Sequence, residues 1–207
     1  MKAIKLFVAT AFLSVICSCG GSPYPHLLQV TDSLANTPDS LIKPLLSYYE
    51  KAKNRADLPG IYYYAGLIYH TIGDAPQAQD HLQKALDASG ESTDHRLMYK
   101  IYHQIGMTYH YNQSGNDGSI EPFKKAYRHA GLTGDSTLMT YGLLFIARGF
   151  QRGNADSLSL YYGKASRMAQ KINDEHLYSI INMEWGSCYF YKKEYQKAYD
   201  LLQASPI

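Results

Sequence analysis

Apolar and polar positions follow a helical period along most of the chain. One arrangement of small, aromatic and bulky residues also returns again and again. Its clearest copy is Tyr62, Ala65, Gly66 and Tyr69 on one segment, then Ala78, Leu82 and Ala85 on the next. The second copy reads Tyr102, Gly106, Tyr109, Ser119, Phe123 and Ala126, with one additional residue in its inner turn. A degenerate third copy reads Leu143, Ala147, Phe150, Leu158, Tyr162 and Ala165, and a fourth Trp185, Gly186, Tyr189, Ala198 and Leu202. Gly66, Gly106, Ala147 and Gly186 hold equivalent places, separated by 40, 41 and 39 positions. The apolar spacing predicts helices over 60–72, 76–88, 95–112, 118–130, 137–152, 156–170, 175–192 and 195–204, and essentially no strand.

A fixed period of this length marks a stacked array, in which no unit can bury its apolar face without a neighbour. Gly66 and Ala78 are small where two antiparallel helices would cross. Helix axes pack about 8–10 Å apart depending on the side chains at the contact, so small residues allow the near end of that range. Between the two helices, Gly73-Asp74-Ala75-Pro76 offers a helix stop and then a proline suited to a first turn. Asp135-Ser136 and Asp156-Ser157 read as helix starts, because short polar side chains satisfy free backbone N–H groups.

The pattern resembles the tetratricopeptide repeat (TPR), whose standard unit is several residues shorter. The resemblance covers residues 59–205 as four copies, at about 59–94, 95–136, 137–174 and 175–205. The additional length is expected in loops, at 88–94 and 131–136. The resemblance implies an all-α, right-handed solenoid of TPR-like hairpins whose first helices line a concave groove. It then turns Tyr63, His70, His103, Met107, His110, Tyr111, Arg148, Gln151 and Arg152 toward that groove, along with Leu67, Lys100, Tyr141, Ser187 and Tyr191. Aromatics, Met and Arg are favoured at interaction surfaces. Arg148 and Arg152 lie one helical turn apart and could clamp a carboxylate. A protein or peptide partner is the expectation. The Lys/Asn pattern by which some family members grip the acidic C-terminus of chaperones is missing.

The first residues read differently. Lys2 and Lys5 precede an apolar run over 6–16, within the roughly 7–15 residues of a signal-peptide core and well short of a membrane span. Ile16-Cys17-Ser18-Cys19 then resembles a bacterial lipobox of the kind found in Bacteroidetes-like lipoproteins. That resemblance implies removal of residues 1–18, lipid attachment at Cys19, and a place in the bacterial cell envelope. The alternative is a plain secretory signal. Gly20 stands where an aspartate would favour the inner membrane, so an outer-membrane lipoprotein is expected. Residues 19–24 form a tether, and 25–55 read as a degenerate helical pair broken at Thr37-Pro38-Asp39-Ser40. Asp-Ser followed by Leu or Thr, at Asp32, Asp39, Asp135 and Asp156, is similar to an O-glycosylation acceptor. Helix capping explains the latter two.

Charge and chemistry narrow the function further. The formal charge of +2 comes with no basic tract, so no nucleic-acid partner is expected. Of three cysteines, only Cys188 would remain unmodified in the mature chain, which excludes a disulfide framework and suits a small buried residue on a helix. The twenty tyrosines read chiefly as interhelix filler. There is no phosphate-cradling glycine loop, no paired-cysteine motif and no nucleophile elbow, so neither an enzyme nor a cofactor is expected. His103 and His110 share a helix face, and His70 and His110 are equivalent in adjacent copies. Zinc takes three or four ligands, and no carboxylate or cysteine joins these histidines at a recognisable spacing, so no metal is expected. The reading is a lipid-anchored TPR scaffold. Its alternative is the N-terminal sensor module, or a truncated form, of a membrane-linked transcriptional regulator or histidine kinase. No polar capping helix follows residue 204, so a second subunit or a longer chain is expected over that end.

Overall fold

The computed structural model describes residues 58–112, 117–151 and 153–204. The leader, Cys19, the tether, the 25–55 pair and Arg152 lie outside the described residues. Eight helices follow one another: α1 (Leu58–Thr71), α2 (Ala75–Ser89), α3 (His95–Asn112), α4 (Ile120–Thr133), α5 (Ser136–Gly149), α6 (Ala155–Lys171), α7 (Glu175–Tyr191) and α8 (Tyr195–Gln203). A 3-10 turn, Asp117–Ser119, leads into α4. The described residues contain no strand. Each helix packs on its successor in the chain, and the first helices of the hairpins also stack, α1 on α3 and α3 on α5.

The crossings explain the repeat. A Cβ on Gly66 would lie 2.6 Å from Leu82 Cγ and 3.2 Å from the Ala78 carbonyl oxygen. Only a hydrogen at that position lets α1 and α2 approach so closely. Gly106 stands in the same relation to Phe123, whose ring would be 2.5 Å from an added Cβ at its Cδ1 atom. In the third hairpin Ala147 takes the small position and Tyr162 the bulky one, and both are fully buried. Burying a side chain of this size contributes about 1.5–3 kcal/mol. The core gathers around Tyr64, Leu82 and Ile101 in the first half and around Leu144, Leu158, Tyr162, Leu177 and Ile181 in the second.

The helix starts follow the same chemistry. Asp74 accepts from the Gln77 N–H at 3.2 Å, Asp135 from those of Thr137 and Leu138 at 3.0 and 3.1 Å, and Asp174 from that of Leu177 at 2.9 Å. Caps of this kind contribute about 1 kcal/mol each. Asp156 is not a cap. Asn154 takes that role, accepting from the Ser157 N–H at 2.8 Å, and Asp156 lies inside the first turn of α6. There its negative charge suits the helix N-terminus. Of the two loops expected to hold the additional repeat length, the one at 88–94 is present as residues 90–94, and the one at 131–136 is not. α4 continues through Gly131 to Thr133 and stops at Gly134, whose φ of 71° sets the left-handed cap. α3 and α6 run to 18 and 17 residues, so much of the excess is helix rather than loop.

Candidate functional site

α3, α5 and α7 contribute side chains to one shared cleft. Met107, His110 and Tyr111 of α3, Arg148 of α5, Gln151 just beyond it and Glu184 of α7 line a cleft of about 300 Å³. α5 and α7 approach each other less closely than α1 and α3 do, and side chains bridge the gap. Arg148 Nε donates to Glu184 Oε2 at 2.9 Å while Nη2 donates to Oε1, a two-point pair. The guanidinium also lies over the Phe145 ring, 4.6 Å from its centroid. Burial works against the Arg148 charge, but the Glu184 carboxylate more than offsets this and holds the guanidinium above its ordinary range. Tyr162 Oη donates to Glu184 Oε2 at 3.4 Å and accepts from Gln151 Nε2 at 3.0 Å. Burial, then the nearby Cys188 and Glu184, push the Tyr162 phenol well up, so it stays protonated and able to donate. Burial likewise raises the Cys188 thiol, which keeps it unreactive.

The structure thus brings five of the expected groove residues into one cleft: Met107, His110, Tyr111, Arg148 and Gln151. His70 stands at its edge, with its ring 5.9 Å from that of Tyr111. Thr108 Oγ1 donates to the Gln104 carbonyl at 2.9 Å and lies 3.2 Å from His70 Nδ1. A hydroxyl has one proton to give, so Nδ1 of His70 is assigned as the protonated nitrogen.

Two residues read as groove-lining are not. Tyr63 is buried in the core between α1 and α3, and burial pushes its phenol up. His103 is wedged against Tyr99, Phe123 and Phe145, its ring 4.2 Å from that of Phe145, with Nε2 sealed and unpartnered. Burial, then the Arg148 and His70 charges, push it down to about 4, so it is a neutral packing group at pH 7. Both residues stand three before a crossing glycine. That position faces the next hairpin and not the groove.

The carboxylate facing Arg148 comes from the chain itself, and Glu184 was not among the expected residues. Its partner lies 36 positions away, one repeat earlier, so no local spacing marks it. The available signal was its position in the first helix of its copy, two residues before Gly186. Among the described residues no group of three or more His, Cys, Asp or Glu side chains is placed to hold a metal ion. None of the described helices is long and apolar enough to cross a membrane. What the cleft offers is an apolar and aromatic rim, an amide, a histidine and a neutralised ion pair. Such a set holds a polar backbone beside an apolar side chain.

No protein-family profile matches the chain, and no curated protein matches it. Among solved structures it is similar to a Signal Transduction ATPase with Numerous Domains (STAND) protein with a tetratricopeptide repeat sensor, from Pyrococcus horikoshii. The TM-score is 0.70 at 20% identity, over 86% of this chain. The fold is a tetratricopeptide-like α-solenoid. The chain spans 30% of the length of that protein, so the likeness concerns one part of a larger molecule.

Proposed function

We propose that the array is a non-catalytic scaffold that captures an extended peptide segment of a partner protein across α3, α5 and α7. The cleft carries this reading: Met107 and the largely exposed Tyr111 stand beside an Arg–Glu pair that is already neutralised. Its volume is at the lower end for ligand sites, which suits one anchoring side chain rather than a whole small molecule. The anchor is apolar or aromatic, and the peptide backbone meets Gln151 and His110. Neutral or acidic flanks fit better than basic ones. α3 and α5 contain no Asp or Glu and carry Arg96, Lys100 and Arg148, while α7 carries Glu175 and Glu184. Glu184 neutralises Arg148 and Asp135 pairs with Arg96, so Lys100 tips the balance. Binding should be measured by fluorescence anisotropy with peptide pools of fixed acidic, neutral or basic composition. Tyr111→Ala should weaken the preferred pool by about 30-fold, the ~2 kcal/mol of an interface hot spot. Gln79→Ala with Lys124→Ala, on second helices, should leave it unchanged. Preference for the basic pool, or an effect confined to the second-helix pair, overturns this reading.

The scaffold is proposed to act at a bacterial envelope through a lipid on Cys19, a reading supported by the Ile16-Cys17-Ser18-Cys19 segment behind its basic and apolar leader. Cys19→Ala should abolish palmitate labelling and release the protein from the membrane fraction, while Cys17→Ala should not. A labelled, membrane-bound Cys19→Ala protein removes the anchor. The sensor described for the Pyrococcus horikoshii protein favours a second reading, in which the same groove is the receiving part of a longer signalling protein. The peptide site is common to both.

A further inference from the structure

The outer face of the last hairpin exposes side chains at positions that are buried everywhere else in the array. Met183 stands three before Gly186 and is 52% exposed, while its equivalents Tyr63 and Leu144 are 9% and 1% exposed. The third equivalent, His103, is sealed at Nε2. Leu202 opposes Gly186 as Leu82 opposes Gly66 and Phe123 opposes Gly106. Those two, and Tyr162 opposite Ala147, have no exposure, whereas Leu202 is 50% exposed. In each earlier hairpin these positions are covered by the first helix of the next one.

The surroundings of Met183 and Leu202 extend the patch. Phe190 lies seven residues after Met183, on the same face of α7. Tyr195, Tyr199 and Leu202 fall at i, i+4 and i+7 along α8, and the Phe190 and Tyr195 rings meet at 5.6 Å. Phe190, Tyr195 and Tyr199 are all exposed. The result is one apolar surface shared by two adjacent helices.

We propose that this α7–α8 face is a self-association surface, covered by the same face of a second copy about a two-fold axis. Two features support a second copy. First, an antiparallel pairing of α8 with its symmetry mate, centred near Ala198 and Tyr199, sets Tyr195 against Leu202 of the mate and Tyr199 near its own mate. The stripe is therefore complementary to itself, as an isologous contact requires. Second, Met183, Phe190, Tyr195, Tyr199 and Leu202 together offer about 500 Å² at roughly half of a 150–250 Å² side chain each. Doubled, this comes to about 1,000 Å², the lower bound of a specific interface. An interface of that size falls in the weak, transient class. It leaves the cleft open, because Glu184 is the one cleft residue on α7 and its carboxylate is held by Arg148 of α5.

Sedimentation velocity of the purified chain across low to high micromolar concentration should show a monomer passing to a dimer. Met183→Asp with Leu202→Asp should abolish the dimer with the helical circular dichroism unchanged. Tyr199→Cys should form a covalent dimer on mild oxidation far faster than Gln79→Cys, with the parent's own cysteines as baseline. A parent that stays monomeric throughout overturns the proposal and leaves the face to a following helix or a different protein. Equal cross-linking at Tyr199→Cys and Gln79→Cys also overturns it. If the double variant loses helicity, the Tyr199→Cys comparison in the otherwise native chain decides.

Discussion

Replacing Tyr162 with Ala should destabilise the array by about 3–5 kcal/mol, the range for large aromatic residues truncated in a core. For a chain of this size that lowers the thermal midpoint by about 6–20 °C. The ring is fully buried, fills the crossing opposite Ala147, and stacks on Trp185 with centroids 6.2 Å apart. Its hydroxyl adds a second role, as the link between Gln151 and Glu184. Tyr162→Phe separates the two. It keeps the ring and removes only the hydrogen bonds, so it should cost about 1–2 kcal/mol. Because Arg148 still holds Glu184, peptide binding should survive that change. Thermal denaturation of both variants checks the argument. Equal losses for Ala and Phe would mean that the hydroxyl network, not packing, holds this hairpin.

Stability should also fall on mild acidification. His103 is pushed down to about 4 in the folded chain, while an unfolded histidine titrates near 6.5. Above pH 6.5 it is neutral in both states and contributes no pH dependence. As pH drops from 6.5 toward 4, the unfolded chain takes up a proton that the folded chain refuses, and folding loses about 2–3 kcal/mol. The groups facing this ring agree with that direction. Arg148 of α5 and His70 of α1 oppose a positive charge there, and Nε2, packed among the rings of Phe123, Phe145 and Tyr99, has no acceptor to receive its proton. His70 and His129 are themselves lowered by burial and add smaller losses of the same sign. Urea unfolding from pH 7.5 to 4.5 should show the decline, and His103→Phe should remove most of it. An unchanged slope in that variant would place the sensitivity on other groups.

The sequence and the structure agree where the physics is local. Gly66 opposite Leu82 and Asp135 at the start of α5 are each set by residues within one hairpin or one turn, and both are legible from spacing. Asp156 was displaced as a cap by Asn154 because either residue can cap, and only the backbone course decides which one does. Tyr63 and His103 were assigned to the groove through the repeat resemblance, which carries over a position along the period. A period fixes the angle around one helix but not how closely the next hairpin lies over it. The Arg148–Glu184 pair was out of reach for a related reason. It depends on how far α5 stands from α7, which is a property of stacking between copies and is encoded in no single one of them.

The order in which the helices pack also bears on how the chain finds its fold. Nearly all packing joins a helix to its immediate successor, with α1 on α3 and α3 on α5 as the longest reach. Such a chain has low contact order, and each new contact closes only a short loop. Hairpins can therefore form one at a time as the polypeptide leaves the ribosome, each template waiting for the next. Among the described helices α8 packs on α7 and on little else, so it is the element whose local opening breaks the least packing.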